Sequence, residues 1–275
     1  MTRIYDCTSD SDTSESDTSP SNYRAHIALA RTAIGRGALV VVPTDTVYGV
    51  AADAFNAEAV QLLLDAKGRG RQSPPPVLIP GIPTLDALAV DVPQPVRDLV
   101  AAFWPGGLTV IVNAQPSLVW DLGETRGTVA LRMPSNQITL DLLAETGPLA
   151  VSSANLSGMP ATRDAQAAEA AFGENVDVYL DGGTAGTTYD SVFGQTGDGS
   201  STIVDASGFE TNGGFLYIVR SGVISRDAIE AVVGDLLAAE PAVPGTPAEP
   251  VPADAAPTVL APSQDAAQDE SDASR

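Results

Sequence analysis

The stretch "VVVPTDTVYGVAAD", from Val40 to Asp53, decides the fold. Its three β-branched apolar residues end at Pro43, which is typical of a strand buried on both faces of a sheet. The residues that follow carry two hydroxyls, a carboxylate and a tyrosine, where an ordinary connection would have Gly, Asn or Ser. The pattern predicts a buried strand whose end carries more polar groups than a turn requires.

Length and composition set the outer bounds. The chain has 275 residues, of which 44% are hydrophobic, enough for a sizeable core. It has no apolar stretch of the ~18 residues that a membrane span needs, and no apolar secretory signal. We therefore expect a cytoplasmic protein without membrane contact. The one cysteine, Cys7, can form no internal disulfide.

The charge is negative along the whole chain. The formal net charge is −21, and the part between the two polar ends still holds 23 acids against 12 bases. Tight binding of a nucleic-acid backbone depends on clustered Lys and Arg, so this composition disfavours direct tight tRNA binding. Lys67 is the only lysine beside thirteen arginines.

The two ends have the composition of unfolded segments. Residues 1–22 are rich in Ser, Thr and Asp, and residues 238–275 in Ala, Pro and acids. Both have too few large apolar groups to offset chain entropy. We expect two disordered tails around a folded domain at residues 23–237.

Helix-like and strand-like patterns alternate within that domain. The predicted helices are Tyr23–Arg36, Ala57–Ala66, Pro95–Phe103, Gln137–Glu145, Arg163–Phe172 and Ser225–Leu237. The predicted strands are "ALVVV", "PVLIP", "LTVIVN", "TVALRM", "LAVSSA", "VDVYLD", "STIVDA" and "FLYIVR". Strands that are apolar along their length, alternating with helices, predict an α/β fold around one twisted, largely buried sheet.

Several familiar kinds of site are absent from the sequence. There is no GxxxxGK[ST] loop, no GxGxxG after the first strand, and no ligand spacing that suits zinc. The only histidine, His26, lies in the first predicted helix, where a structural or surface role is favoured over catalysis. A Ser-His-Asp hydrolase is disfavoured.

Polar residues recur instead at the ends of the predicted strands and helices. "DAKGRGR" places Lys67, Arg69 and Arg71 at a helix end, although cations there also complement the helix dipole. Arg132 interrupts the apolar run "TVALRMP" and needs an anionic partner. "AVSSANLSG", "SSTIVD" and "FLYIVRSG" add hydroxyls, an amide and Arg220. Together these groups outline a crevice for an anionic ligand at strand ends.

In this order, "PTDTVYGVAADAFNAEAV", "AKGRGR", "WPGGLTVIV", "TVALRMP", "LAVSSANLSG", "STIVD" and "IVRSG" closely resemble the threonylcarbamoyl-AMP synthases built on the YrdC-type domain. The resemblance covers Tyr23 to Ser225. It implies a twisted, largely mixed open sheet flanked by helices, with a concave active-site surface. It also implies a reaction in which L-threonine, bicarbonate or CO2, and ATP give threonylcarbamoyl-AMP and pyrophosphate. A downstream transferase would then modify the tRNA adenosine next to the anticodon.

The same resemblance implies roles for individual residues. The family's KxR and SxN motifs fall on Lys67, Arg69, Ser153 and Asn155. Thr46 and Arg132 would hold threonine, and the implied ATP contacts are Arg69, Thr128, Ser153, Ser201, Thr202 and Arg220. Thr44 would line the crevice and Tyr48 would shape its wall. We expect no protein metal ligands, with Mg²⁺ entering on the ATP phosphates.

The chain departs from the family pattern at two positions. Ser73 stands where relatives often have an ATP-contacting Asn, and Leu78 where some have a threonine-contacting His. The segment before "STIVD" is long, with Asp198 and Gly199 as a candidate flap. The polar C-terminal composition predicts the short, single-domain form.

Two alternatives remain at this point. One is a YrdC-type module that binds RNA without forming an adenylate, for which the acidic composition is unfavourable. The other is carbamoyl-phosphate chemistry like that of maturation factors with the same domain. The acylphosphatase-like and zinc-ligand sequences of those proteins are missing here.

Overall fold

The computed structural model describes residues 3–8, 22–189 and 199–239. Most of the two predicted tails, residues 9–21 and 240–275, lies outside the described residues. No helix in the described ranges is long and apolar enough to cross a membrane.

The residues that the structure describes form one mixed sheet of ten strands. The strands are β1 (Ile4–Asp6), β2 (Val40–Val42), β3 (Gly49–Asp53), β4 (Val77–Leu78), β5 (Leu108–Asn113), β6 (Thr128–Arg132), β7 (Leu149–Ser153), β8 (Val178–Asp181), β9 (Thr202–Asp205) and β10 (Tyr217–Arg220). Their order across the sheet is β1-β8-β2-β3-β7-β4-β6-β5-β9-β10. Four of the pairs are parallel (β1/β8, β2/β8, β4/β6, β5/β9), and the others are antiparallel. The predicted mixed α/β fold is confirmed.

Seven α-helices accompany the sheet in the described residues. They are α1 (Asn22–Gly35), α2 (Ala57–Lys67), α3 (Ile82–Leu88), α4 (Gln94–Phe103), α5 (Gln137–Thr146), α6 (Ala165–Phe172) and α7 (Arg226–Val233). All but α3 were predicted. The sequence pattern missed α3 because it has only seven residues and Pro83 in its first turn, a position where the helix needs no N–H donor.

Two strands differ from the prediction. Ile4–Asp6 pairs in parallel with β8, and Cys7 beside it is 7% exposed, which corrects the predicted N-terminal tail over these residues. Three residues in a polar neighbourhood are too few to show a strand pattern. β3 was also missed because its residues are small, and Gly49 allows its close approach to β7. A Cβ at Gly49 would lie 2.5 Å from Val151 Cγ1.

The alternation of side chains on β5 and β6 creates an open polar face. One set of alternate residues packs into the core under α3, α4 and α7, namely Leu108, Val110, Val112, Val129 and Leu131. The other set faces the opposite side of the sheet, where Thr109, Ile111, Thr128, Ala130 and Arg132 line two adjoining depressions. The candidate site lies on this face.

Candidate functional site

The two threonines after β2 are the first groups that shape the site. The Thr44 hydroxyl accepts hydrogen bonds from the backbone N–H groups of Thr46 (3.1 Å) and Val47 (3.2 Å) and donates to the Val47 carbonyl (2.6 Å). This is a local side-chain turn that satisfies the backbone where the strand ends. The Thr46 hydroxyl lies 3.0 Å from that of Thr44 and accepts from Arg132 Nη1 at 2.9 Å. One hydroxyl therefore shapes the loop, and the other holds an arginine.

Arg132 is half of a buried ion pair with Asp45. Its Nη2 lies 2.9 Å from Asp45 Oδ2, and the two side chains are 6% and 3% exposed. Arg132 Nε donates to the Gly106 carbonyl at 2.9 Å, and Asp45 Oδ1 accepts from the Ser135 N–H at 2.9 Å. Although Nη2 and Oδ2 are close, their geometry is not that of a hydrogen bond, and neither has another partner in the described part of the chain. The anionic partner predicted for Arg132 is thus Asp45.

Tyr48 forms part of the wall, as predicted. Its hydroxyl donates to the Gly183 carbonyl at 2.7 Å and accepts from the Gly182 N–H at 3.0 Å. Burial raises the pKa of this phenol above its usual range, so it stays protonated.

Helix α2 delivers Lys67 to the interior behind the site. The helix starts at the Asn56 cap and ends at Lys67, where Gly68 adopts a left-handed conformation (φ 63°). Lys67 is 1% exposed, and its ammonium donates to the carbonyls of Ser153 (2.5 Å) and Asn155 and to Asn155 Oδ1 (3.3 Å). Burial, with a smaller contribution from Arg69, lowers the pKa of Lys67 to about 8. The ammonium therefore donates its hydrogen bonds to the loop after β7 and does not line the cleft.

Asn155 has the same inward role. Its amide nitrogen donates to the carbonyls of Leu156 (3.0 Å) and Met159 (2.5 Å), which fixes the turn that follows β7. Arg69, in contrast, is half-buried and reaches the open face, where Nη1 donates to Ser152 Oγ at 3.3 Å. The predicted group of four divides accordingly: Arg69 and Ser153 line the cleft, while Lys67 and Asn155 hold the loop behind it.

Arg220 and Ser201 form the other side of the cleft. Arg220 donates to the Ser201 carbonyl through Nε (3.0 Å) and Nη2 (2.8 Å), and through Nη2 to Ser201 Oγ (2.8 Å). Gly222 permits this approach, because a Cβ there would lie 2.3 Å from the Ser200 carbonyl oxygen. The structure corrects the predicted ATP contact of Thr202. Its hydroxyl donates to Ile224 O (2.7 Å) and accepts from Ile224 N–H (2.9 Å), so it faces away from the cleft.

Two adjoining depressions make up the site. The first is lined by Thr44, Thr46, Val47, Tyr48, Gly49, Arg69, Pro76, Leu78, Thr109, Arg132, Val151, Ser152, Ser153, Ser200, Ser201 and Arg220. The second is lined by Arg69, Ser73, Pro74, Pro75, Pro76, Ile111, Leu122, Thr125, Thr128, Val129, Ala130, Ile203 and Arg220. Arg69, Pro76 and Arg220 belong to both. Two guanidinium groups thus stand on the boundary between a polar depression and a more apolar one.

The remaining predicted positions fall in several places. Ser73 and Leu78, the two departures from the family pattern, lie in the second and first depressions. Arg71 lines neither depression and pairs with Asp121 at 2.6 Å. His26 is half-buried on α1, with Nδ1 2.9 Å from the Asp6 carbonyl, in keeping with a structural or surface role. Asp198 of the candidate flap lies outside the described residues.

Sequence reasoning missed several residues of the site. Asp45 and Thr109 were given no role, although Thr109 lines the first depression and Asp45 pairs with Arg132 behind it. For Thr109 a signal existed, since it is the one hydroxyl within the apolar run "LTVIVN". For Asp45 the signal was weaker, because an aspartate after a strand is also an ordinary turn residue. The described residues contain no group of three or more His, Cys, Asp or Glu that could hold a metal ion.

Comparisons with known proteins identify the family of the chain. The model of the Sua5/YciO/YrdC family, described as "Telomere recombination", matches residues 32–207. A Mycobacterium tuberculosis (strain H37Rv) protein named "Putative threonylcarbamoyl-AMP synthase" is 43% identical over 234 residues, or 85% of this chain and 96% of the relative. The threonylcarbamoyl-AMP synthase of Bacillus subtilis is 36% identical over 214 residues, or 76% of this chain and 57% of the relative.

A solved structure is similar as well. Sua5 of P. abyssi, in a crystal structure complexed with L-threonine, has a TM-score of 0.67 and 31% identity, covering 77% of this chain and 58% of that one. Since the family model spans more than half of the chain, the chain belongs to the Sua5/YciO/YrdC family.

Proposed function

We propose that the chain synthesises threonylcarbamoyl-AMP from L-threonine, bicarbonate or CO2, and ATP, with release of pyrophosphate. The observation that carries the proposal is the pair of adjoining depressions that share Arg69 and Arg220. A transfer between an amino-acid derivative and a nucleotide needs two subsites that meet at the reacting phosphorus. Relatives named for this activity and a relative that binds L-threonine support it.

The second depression is the proposed nucleoside end. It combines apolar surface from Ile111 and Leu122 with the Thr128 hydroxyl, which suits a base and a ribose. Ser73 lies there in place of a longer amide, so a water or the backbone would complete the contacts to the base. The phosphates would lie on the boundary, where Arg69 and Arg220 stabilise their charge.

The first depression is the proposed amino-acid end. Thr46 and Arg132 lie at its base, and the Arg132 guanidinium would contact the threonine carboxylate. Because Asp45 already balances the charge of Arg132, that contact would be directional more than electrostatic. Leu78 and Val151 give the depression an apolar wall that would face the threonine methyl group.

The residues suit positioning and charge stabilisation better than proton transfer. A carbamate is already a nucleophile, so the site has to hold it in line with the α-phosphorus while pyrophosphate leaves. Mg²⁺ would enter as part of the ATP substrate, because the described residues offer no cage of carboxylates for it. The downstream step would be transfer to tRNA by a separate transferase in the cytoplasm.

Pyrophosphate release tests the proposal. Full-length protein is incubated with ATP and Mg²⁺, with and without threonine and bicarbonate, and the products are separated to detect threonylcarbamoyl-AMP. Release should require both threonine and bicarbonate, and serine or valine at equal concentration serve as controls. Turnover to ADP, turnover indifferent to threonine, or RNA binding with no adenylate-forming activity in any condition would refute it.

A further inference from the structure

A fully buried hydroxyl pair lies at the base of the first depression. Thr109, on β5, is 0% exposed, and its Oγ1 lies 2.8 Å from Oγ of Ser201, which is 4% exposed. Both residues line the depression, and Ser201 also accepts a hydrogen bond from Arg220 Nη2. The family resemblance predicted no ligand contact for Thr109.

One hydroxyl hydrogen of this pair is not used within the pair. A guanidinium can only donate, so Arg220 occupies one lone pair of Ser201 Oγ. One of the two hydroxyl hydrogens lies between Thr109 Oγ1 and Ser201 Oγ, and either atom could be its donor. Neither hydroxyl has another acceptor among the described residues, so the second hydrogen has to turn into the depression that both residues line. Ser201 is the more exposed of the two, 4% against 0%, which favours the arrangement in which Thr109 donates and the Ser201 hydrogen faces the depression.

We propose that Thr109 is a positioning residue that turns Ser201 into a dedicated donor for a carboxylate oxygen of the amino-acid substrate. Such a hydroxyl is fixed before the ligand arrives and so loses little freedom on binding. This inference rests on the proposed function, since it takes the first depression as the amino-acid end. Ser201 lines that depression and not the nucleoside end, which moves it from the predicted ATP contacts to the amino-acid side.

The acceptor could be the threonine carboxylate or the carboxylate formed from CO2. The two sources share one chemistry, and separate measurements distinguish them. Weaker threonine binding in the absence of bicarbonate assigns the contact to the threonine carboxylate. Unchanged threonine binding with a lower kcat and a higher KM for bicarbonate assigns it to the carbamate.

The test uses Thr109→Val, which keeps the shape and removes the hydroxyl, and Thr109→Ser, which keeps the hydroxyl. Threonine affinity is measured by calorimetry, and steady-state pyrophosphate release gives kcat and KM for each substrate. Thr109→Val should lower kcat/KM for threonine or bicarbonate about tenfold or more, as expected for a lost hydrogen bond to a charged group. KM for ATP should stay within about twofold, and Thr109→Ser should recover most of the loss.

Thr202→Val is the matched control, because Thr202 is equally buried but its hydroxyl bonds only to Ile224. It should lower the melting temperature without changing either KM. A second measurement combines Thr109→Val with Ser201→Ala. If Thr109 acts through Ser201, its loss should cost nothing further in that background.

Several results would overturn the inference. These are wild-type constants for Thr109→Val, kinetics no different from those of Thr202→Val, failure of Thr109→Ser to recover activity, or full additivity with Ser201→Ala. Inactive wild-type protein would instead refute the proposed function, so the two failures are distinguishable.

Discussion

Lys67→Met should damage catalysis through the loop after β7, with only a modest loss of stability. In the folded chain the ammonium serves three oxygens of Ser153 and Asn155. Methionine preserves most of the apolar volume beside Phe172, whose ring centre lies 5.9 Å from Nζ, and removes the charge. Ser153 O retains its bond from the Asn155 N–H at 2.9 Å, so that carbonyl is not left without a partner.

The magnitude follows from two opposing terms. Three hydrogen bonds from a charged donor stabilise by about 1.5 kcal/mol each. Lowering the pKa of Lys67 from 10.5 to about 8 corresponds to roughly 3 kcal/mol against the charged form. We expect the free energy of unfolding to fall by only about 1–2 kcal/mol. We expect pyrophosphate release to fall roughly 100-fold, because Ser152 and Ser153 would no longer be held against the substrate.

The assay compares pyrophosphate release and urea unfolding for wild type, Lys67→Met, Asn155→Ala and the double variant. Since both residues fix the same loop, the double variant should be hardly slower than either single one. Arg36→Met removes a cation from an exposed pair with Asp177 and controls for net charge. It should change stability by less than about 1 kcal/mol. Independent, additive losses confined to KM for ATP would refute the positioning role and favour direct phosphate contact.

Three further outcomes are expected. Arg132→Met should cost about 3–5 kcal/mol in unfolding free energy because it leaves Asp45 buried and unpaired, and adding Asp45→Asn should recover stability but not threonine use. Activity should fall as pH rises through about 8, where Lys67 loses its proton. Folding lowers that pKa, so the contribution of Lys67 to the free energy of unfolding rises over the same interval, and activity should decline while the chain stays folded. Deleting residues 240–275 should leave activity unchanged, whereas deleting residues 1–21 should cost roughly 2 kcal/mol, because it removes β1 and buried Cys7.

Each of these has its own check. Urea unfolding with threonine calorimetry separates stability from substrate use for the Arg132 variants, and a double variant as unstable as Arg132→Met would contradict the ion-pair argument. For the pH profile, rates at saturating substrates are set beside melting temperatures from about pH 7 to 9.5; a flat rate, or a rate that falls only with melting, would exclude Lys67. For the deletions, lost activity in a folded chain without residues 240–275 would give that segment a role in catalysis.

The sequence predicted the fold well because its strands are strongly apolar and its helices have clear starts and ends. The helix before Lys67 shows this, since Asn56 and Gly68 mark its limits in both sequence and structure. The failures have physical reasons. β1 is too short to show a period, and β3 consists of small residues whose place is set by pairing with β2 and β7. Such strands are specified by their neighbours in the sheet.

The residue types of the site were also predictable, but their orientation was not. In "STIVD", Ser201 and Thr202 are adjacent hydroxyls of similar propensity, and neighbouring residues of a strand face opposite sides. Only the register of β9 against β5 decides which one lines the depression, and it places Ser201 beside Thr109. The same applies to Asp45, whose neighbours Thr44 and Thr46 both line the depression while Asp45 lies behind, against Arg132.

Burial separates the cations of this site into two roles. Lys67 and Arg132 are 1% and 5% exposed, and their contacts are mainly with the protein: three oxygens for Lys67, and Gly106, Thr46 and Asp45 for Arg132. A buried cation with that many partners cannot move to follow a phosphate, so it can fix a loop but contributes little to a charge that develops elsewhere. Arg69 and Arg220 lie nearer to solvent on the boundary of the two depressions, where guanidinium groups can meet phosphate oxygens as they enter. A motif that suggests four catalytic residues in the sequence thus comprises two residues that bond to the loop after β7 and two that line the cleft. Depth in the fold, which the sequence does not encode locally, separates the two pairs.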